Sequence, residues 1–352
     1  MRARLLLALV AVLPAAAAPA AAAPPPAVPL YRTFGRWIVA CDNTRSCEAR
    51  GFDEVTRADL RLLRDAGAAP ARLVLSAGDP FDVTALRLDG AALPLHAPAW
   101  TTDTSDGGTA LATDDPRAVA AFIGAARNAH ALTLDAAPAS GDDPPRLVPL
   151  DGFTAALLLV DAVQGRPGTS GALVAPAGAN QPPAAPPVPP APVWVRPRPL
   201  SAAEARAIAA RLRTLRSPSF DVCDVTDPPT VDALDAGHAI AIRPCYRAAY
   251  QTSYLVEMFP RGGGPPVPLR LTLPGVPGDE PQGPDMVEAD FDPASGRLTT
   301  AAKGRGLADC GLSAAWTWSR GAFRLTSLAY QEPCGGALPG DWPTLFRTRE
   351  RG

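Results

Sequence analysis

Apolar positions in the middle of the chain recur with a helical period. Phe153, Ala156, Leu157, Val160 and Val163 fall at i, i+3, i+4, i+7 and i+10 and stop before Gly165. That spacing predicts a helix over 153–163 that buries one stripe against a sheet. A second helix is predicted after Asp115-Pro116, an N-cap followed by proline at the first helical position, with Val119, Phe122 and Ile123 on one face. A third opens at Ser201-Ala-Ala-Glu204, the spacing of a capping box, and turns Ile208, Leu212 and Leu215 inward. Elsewhere the period drops to two. Trp37–Cys41 reads as a strand ending in the turn Asp42-Asn43-Thr44, and Leu60–Arg64 with Arg72–Ser76 flanks a hairpin turn at 65–70. Val83–Leu88, Ala131–Leu134 and Ala172–Ala175 are further predicted strands. Towards the C-terminus, Val287–Phe291 and Arg297–Ala301 flank Asp292-Pro-Ala-Ser-Gly296, whose glycine supplies positive φ. Trp316 with Trp318, and Phe323 with Leu325, place large side chains on one face of a second hairpin, so that an antiparallel meander is expected.

Composition then divides this pattern. Residues 176–199 hold ten prolines in 24 residues, a tract that enters neither helix nor sheet and reads as an extended, semi-rigid linker. A PxxP ligand for an SH3-type reader is the rival reading, and linker is the better one. The predicted architecture is α+β: two domains rich in antiparallel sheet, 28–175 and 200–352, each with one or two packed helices. Acidic and basic residues nearly balance, 35 against 33, and no Lys/Arg cluster interleaves with aromatics, which excludes a nucleic-acid footprint.

The N-terminus reads as an address. Arg2 and Arg4 precede an apolar run from Leu5 to Leu13 and a small-residue tract to Ala23, the order of a secretory signal peptide. Ala18-Pro19-Ala20 would leave Ala21 as the first mature residue. The apolar core is shorter than the roughly 20 residues a membrane span needs, and no later segment reaches that length. A periplasmic or secreted protein without a transmembrane segment is therefore expected.

Six cysteines in an exported chain point to disulfides, with fifteen connectivities open before other constraints. The proline tract separates Cys41 and Cys47 from Cys223, Cys245, Cys310 and Cys334, and pairing by neighbours (41–47, 223–245, 310–334) is simplest. Zinc is the rival. The C-x5-C spacing and histidines only at 96, 130 and 238 fit it poorly.

Four motifs could carry chemistry. Gly168-Thr169-Ser170-Gly171 resembles a glycine-flanked nucleophile, but no histidine sits in a sequence context that would supply its base. A turn using backbone conformations of Gly168 and Gly171 is preferred. Glu288, Asp290 and Asp292 alternate as if along a strand and could pair as acid and base; a solvated face is the simpler reading. Asp103-Thr-Ser-Asp106-Gly-Gly lacks the closing glutamate of a calcium loop. Lys303-Gly-Arg-Gly306 is too short for a phosphate cradle and reads as a hairpin connection. The sequence thus assigns no catalytic residue, no metal ligand and no cofactor.

Phe34-x-x-Trp37-x-Val39-x-Cys41-Asp42-Asn43 with Cys47, Ala49 and Gly51 resembles the opening of an exported proteobacterial family, domain-of-unknown-function 1176. Phe291-Asp292-Pro293, Lys303-Gly-Arg-Gly306, Asp309-Cys310-Gly311, Trp316-x-Trp318 and Cys334-Gly335-Gly336 with Trp342-Pro343-Thr344 resemble its C-terminal signature. After Cys245 a Gly-Ala-Tyr-Asn-like stretch is expected, and this chain has Ala248-Ala249-Tyr250-Gln251 instead. The first domain is also similar to the invasion-associated locus B family, through the same opening, Gly152-Phe153-x-x-Ala156-Leu157 and Gly168-x-x-Gly171-Ala172-Leu173-Val174. These resemblances imply envelope residence and bring no chemistry with them. The expectation is a non-catalytic binding or accessory protein with an unidentified envelope ligand or protein partner. A hydrolase, or an inhibitor of a secreted enzyme, is the alternative.

Overall fold

The computed structural model describes residues 24–105, 108–135, 145–217, 223–278, 285–335 and 337–349. The expected leader, 1–23, lies outside them. Strands β1 (Leu30–Phe34), β2 (Trp37–Cys41), β3 (Cys47–Phe52), β4 (Asp59–Arg64) and β5 (Ala71–Ala77) come first. Short β6 (Arg87–Leu88) and β7 (Ala91–Ala92) precede β8 (Thr101–Asp103) and β9 (Thr109–Thr113). Helix α1 (Pro116–Ala126), β10 (Ala131–Thr133), β11 (Leu147–Pro149) and α2 (Phe153–Val163) follow. The remainder holds α3 (Ala202–Leu212), β12 (Thr230–Ala233), β13 (His238–Arg247), β14 (Thr252–Pro260) and β15 (Asp285–Val287). It ends with β16 (Asp290–Asp292), β17 (Arg297–Lys303), β18 (Gly311–Ser319), β19 (Ala322–Gln331) and β20 (Thr344–Arg347).

Among the described residues the strands form four antiparallel sheets. The first has the order β1-β2-β3-β4-β5-β9-β8, the second β11-β10-β6-β7, the third β12-β13-β14-β15 and the fourth β16-β17-β18-β19-β20. The fourth is the meander that the paired aromatics predict. Three disulfides, Cys41–Cys47, Cys223–Cys245 and Cys310–Cys334, follow the neighbour pairing.

Strand β2 is buried along its whole length because both of its faces are covered. Trp37, Val39 and Cys41 point towards α1 and α2, whereas Ile38 and Ala40 join Tyr31 and Phe52 on the opposite face. The Trp37 indole lies on Gly51, donates to the Pro149 carbonyl (2.9 Å) and packs 4.8 Å from the Phe153 ring. A Cβ on residue 51 would occupy the space of that indole, which explains the tryptophan and the glycine in one pattern. Gly152 starts α2 with φ +100, and its α-carbon lies against the Phe34 backbone. The α2 stripe is buried as its period predicts; its Phe, Leu and Val side chains each contribute roughly 1.5–3 kcal/mol.

Ile38, Ala40 and Phe52 share one apolar cluster with Trp316, Trp318, Leu328 and Leu345 of the C-terminal half. Strand β13 is likewise two-sided: Ile240 and Ile242 enter that cluster, while Ala239 and Ala241 meet Ile208 and Leu212 of α3. The Ser201–Glu204 capping box is formed, with Ser201 N–H donating to Glu204 Oε2 (2.7 Å) and Glu204 N–H to Ser201 Oγ (3.2 Å). Residues 180–201 adopt neither helix nor strand. They run across the molecule as a strap: Pro183 lies near Gly165, Ala185 over Gly67, and Trp194 against Gly296 and Phe291.

Two predicted strands take other forms. Val83–Ala85 is a 3-10 turn capped by Asp82, which accepts from Thr84 N–H (2.8 Å), so only Arg87–Leu88 pairs. Residues 172–175 form no strand, and 173–175 bend, because the Leu173 and Val174 amides donate to the Asp161 carboxylate (2.8 and 3.3 Å) instead of to a strand.

Candidate functional site

The two-residue period of the fourth sheet separates its chemistry by face. Leu298, Trp316, Trp318, Leu328 and Leu345 point into the shared core. Arg297 opposite Thr317, and Ser327 opposite Arg347, point the other way. A bulge in β19 pairs Ala315 with Ser327 and Trp316 with Leu325, leaving Thr326 without an opposite residue. Two consecutive hydroxyl residues therefore line the outer face. Thr348 and Arg349 extend it beyond β20, and Ala191 and Pro192 of the strap raise one wall. The Arg349 N–H donates to the Pro189 carbonyl (2.8 Å), which fastens the strap there. The result is a trough of about 520 Å³.

Among the described residues, no aromatic ring and no carboxylate lines this trough, but three arginines do. Arg347 is held from behind: Nε pairs with Asp42 Oδ2 (2.7 Å), and Nη2 donates to Ser46 Oγ (2.6 Å) and Thr44 Oγ1 (2.9 Å). Arg297 donates weakly to Ser327 Oγ (3.5 Å). Among the described residues, no carboxylate lies within 4.0 Å of Arg297 or Arg349. Thr317 is only 8% exposed, and its hydroxyl makes no hydrogen bond to a described residue.

The motifs singled out in the sequence are dispersed. Ser170 is exposed, and no histidine nitrogen of a described residue lies within hydrogen-bond distance of it. Gly168 has φ +76 as a turn requires, but Gly171 does not adopt positive φ. Its constraint is space: a Cβ there would stand 2.9 Å from Arg166 Nη1. The motif wraps that buried guanidinium, which donates to Gln164 Oε1 (2.8 Å) and the Gly67 carbonyl (2.6 Å). His238 Nδ1 does meet a carboxylate, Asp235 Oδ1 at 3.0 Å, and Asp235 Oδ2 accepts from Trp318 Nε1 (3.1 Å). Asp235 also accepts from the Gly237 and His238 amides (2.7 Å each), so the dyad shapes the turn into β13. These donors hold Asp235 below the usual carboxylate range against the opposing effect of burial.

Glu288, Asp290 and Asp292 do not lie along one strand. Glu288 has φ +46 in the break between β15 and β16, and it accepts from Thr252 N–H (2.6 Å). Asp292 caps its own turn, held low by Ser295 and the Ala294 amide. Asp103 accepts from Ser105 N–H (2.9 Å), and Asp106 lies outside the described residues. In the Lys303–Gly306 loop, Arg305 grips Asp309 through Nε (2.6 Å) and Nη2, and Gly304 lies against the Cys310 sulfur. The loop is a hairpin connection tied to a disulfide. Asp309, Cys310 and Cys334 come close enough to suggest a metal, but both sulfurs are bonded to each other.

One further polar cluster lies at the junction of the two halves. Arg50, almost fully buried, pairs with Asp59 and donates to the Asp341 carbonyl (3.1 Å), while Arg61 lies 3.4 Å from both Asp59 and Asp341 carboxylates. Glu48 sits 3.8 Å from Arg50, and its Oε1 is buried without a hydrogen-bond partner. Burial raises its carboxyl to about 7 despite the opposing Arg50 and Arg61 charges.

The trough arginines were not singled out by sequence reasoning. The available signal was the alternation itself: the period that sets Trp316 and Trp318 inward sets Thr317 outward, opposite Arg297.

The profile of the family described as "Protein of unknown function (DUF1176)" matches residues 31–349. The chain is 33% identical over 343 residues to the "Uncharacterized protein YpfG" of Escherichia coli (strain K12), covering 92% of this chain and 94% of that one. No solved structure matches the chain.

Proposed function

This chain belongs to the DUF1176 family, and on that premise we propose that it is an exported envelope protein that binds a ligand without transforming it. The trough on the fourth sheet carries this reading. Its volume, about 520 Å³, falls within the range of small-ligand sites, and its walls come from a rigid sheet and a proline strap that needs little ordering on binding. A non-catalytic role is supported by the separation of Ser170 from every described histidine. Export is supported by the charged, apolar and small-residue order of 1–23 and by three disulfides, which persist in oxidising compartments. We extend the proposal to the layout: an invasion-associated-locus-B-like unit at 28–175, a linker at 176–199 and a helix-plus-meander unit at 200–352.

Two measurements test this reading. Mass spectrometry of protein from the periplasm should give an N-terminus near Ala21 and a mass six hydrogens below the reduced form. A thermal-shift screen of small hydrophilic compounds should find ligands that raise the melting temperature of the native protein but not of Thr317→Trp, which fills the trough. If Thr317→Trp responds as the native protein does, the trough is not the site.

A further inference from the structure

The trough is the concave part of a surface on which the fold concentrates one kind of charge. Strand pairing sets Arg297 beside Thr317 and Ser327 beside Arg347, and the chain beyond β20 adds Arg349. Folded surfaces ordinarily intersperse both signs. Here the acidic partners, Asp42 and Asp65, pair with Arg347 alone among the three trough arginines. Arg297 and Arg349 face the trough without a described carboxylate within 4.0 Å.

The floor adds a second, independent observation. Thr317 is more than nine-tenths buried, lines the trough, and has a hydroxyl with no hydrogen bond to any described residue. What remains open of this residue faces the trough, so its hydroxyl is available to hydrogen-bond whatever occupies it. Among the described residues no aromatic ring lines the trough, so they offer no stacking platform of the kind a nucleobase or the apolar face of a neutral sugar would use.

Resting on the reading of the trough as a binding site, we propose that its ligand is a hydrophilic oxyanion, a phosphate or carboxylate group held between Arg297 and Arg349 and hydrogen-bonded by Thr317 and Ser327. The planar guanidinium forks of arginine match both groups with paired hydrogen bonds, and hydroxyls donate to the remaining oxygens. Arg347 is a positioning residue. Its guanidinium is fixed by Asp42, Thr44 and Ser46, so it anchors the end of β20 from which Thr348 and Arg349 follow.

Calorimetry of the oxidised, full mature protein with three probes tests this assignment: inorganic tripolyphosphate, trigalacturonate and maltotriose. Binding of tripolyphosphate or trigalacturonate, with no response to maltotriose, is the expected result, and the stronger of the two identifies the oxyanion. Arg297→Gln and Arg349→Gln should each weaken that binding about tenfold, the size of one charge-assisted hydrogen bond. Arg297→Lys should recover only part of the loss, and affinity should fall as salt rises. Binding of maltotriose alone, abolished by Thr317→Trp, would overturn the ligand class and leave the trough as a site. Anion binding unaffected by both arginine variants and by Thr317→Trp would overturn the trough itself, as would binding of none of the three probes.

Discussion

Asn43 and Arg347, 304 residues apart, exchange two hydrogen bonds: Asn43 Nδ2 donates to the Arg347 carbonyl (3.1 Å), and the Arg347 N–H donates to Asn43 Oδ1 (2.9 Å). The side-chain amide thus imitates one rung of a strand ladder at the end of β20. It joins the turn closed by Cys41–Cys47 to the last strand of the chain. Asn43→Ala should cost about 1–3 kcal/mol, because two half-buried backbone groups lose their partners. Denaturant unfolding is the measurement, and the midpoint should fall without a change in slope. An unchanged midpoint would mean that solvent replaces both bonds at no cost.

Much of the local structure was legible because it is written in short-range patterns. The stripe from Phe153 to Val163, the box at Ser201 and Glu204, and the alternation around Trp316 each depend on neighbours within one or two turns. What covers the second face of β2 was not legible: Trp-Ile-Val-Ala-Cys is apolar at every position, so it records that both faces are buried but not by what. The run Ala172–Ala175 looked like a strand because propensity counts side chains, whereas the Asp161 carboxylate 12 residues earlier captures its amides. The trough was missed for a related reason. Its residues come from four strands and the strap, and only the register brings them together.

Glu48 should make stability fall as pH rises through neutrality. Its folded carboxyl titrates near 7 because burial penalises the charged form, whereas an unfolded glutamate titrates near 4.5. The folded chain therefore holds the proton more tightly. This contribution is fully present below 4.5 and is lost as pH passes about 7. The charges around it, Arg50, Arg61, Asp59 and Asp341, come from both halves of the chain. Unfolding free energies of native protein and Glu48→Gln should be compared at pH 5 and pH 8. The native advantage should shrink by about 1–3 kcal/mol between the two. A difference that stays flat, or that grows with pH, contradicts this account.

Gly51→Ala should destabilise the protein by about 1–3 kcal/mol through overpacking, since the new methyl falls where the Trp37 indole lies. Displacing that ring also weakens its hydrogen bond to the Pro149 carbonyl and its contact with Phe153. Near-ultraviolet circular dichroism and tryptophan emission should shift together with the loss of stability. A stable variant with unchanged emission would show that the indole has room to move.

Arg166 and Ser170 occupy the same loop and should respond oppositely to truncation. Arg166 is buried and ties three segments together through Gln164, Gly67 and, at 3.4 Å, the Gly171 carbonyl. Burial and the Arg166 charge also lower the neighbouring Arg64 to about 10, so the site already carries a cost that its hydrogen bonds offset. Arg166→Ala leaves those carbonyls without donors and Asp161 with one cation fewer, and should cost about 3–5 kcal/mol. Ser170 is exposed and no base of a described residue lies beside it, so Ser170→Ala should change stability by no more than about 0.5 kcal/mol. An unassisted hydroxyl is also a weak nucleophile. A fluorophosphonate probe should therefore leave Ser170 unlabelled in the folded protein. Labelling that the alanine change abolishes would show that a base reaches this serine, and would turn the loop from a wrap around Arg166 into a catalytic element.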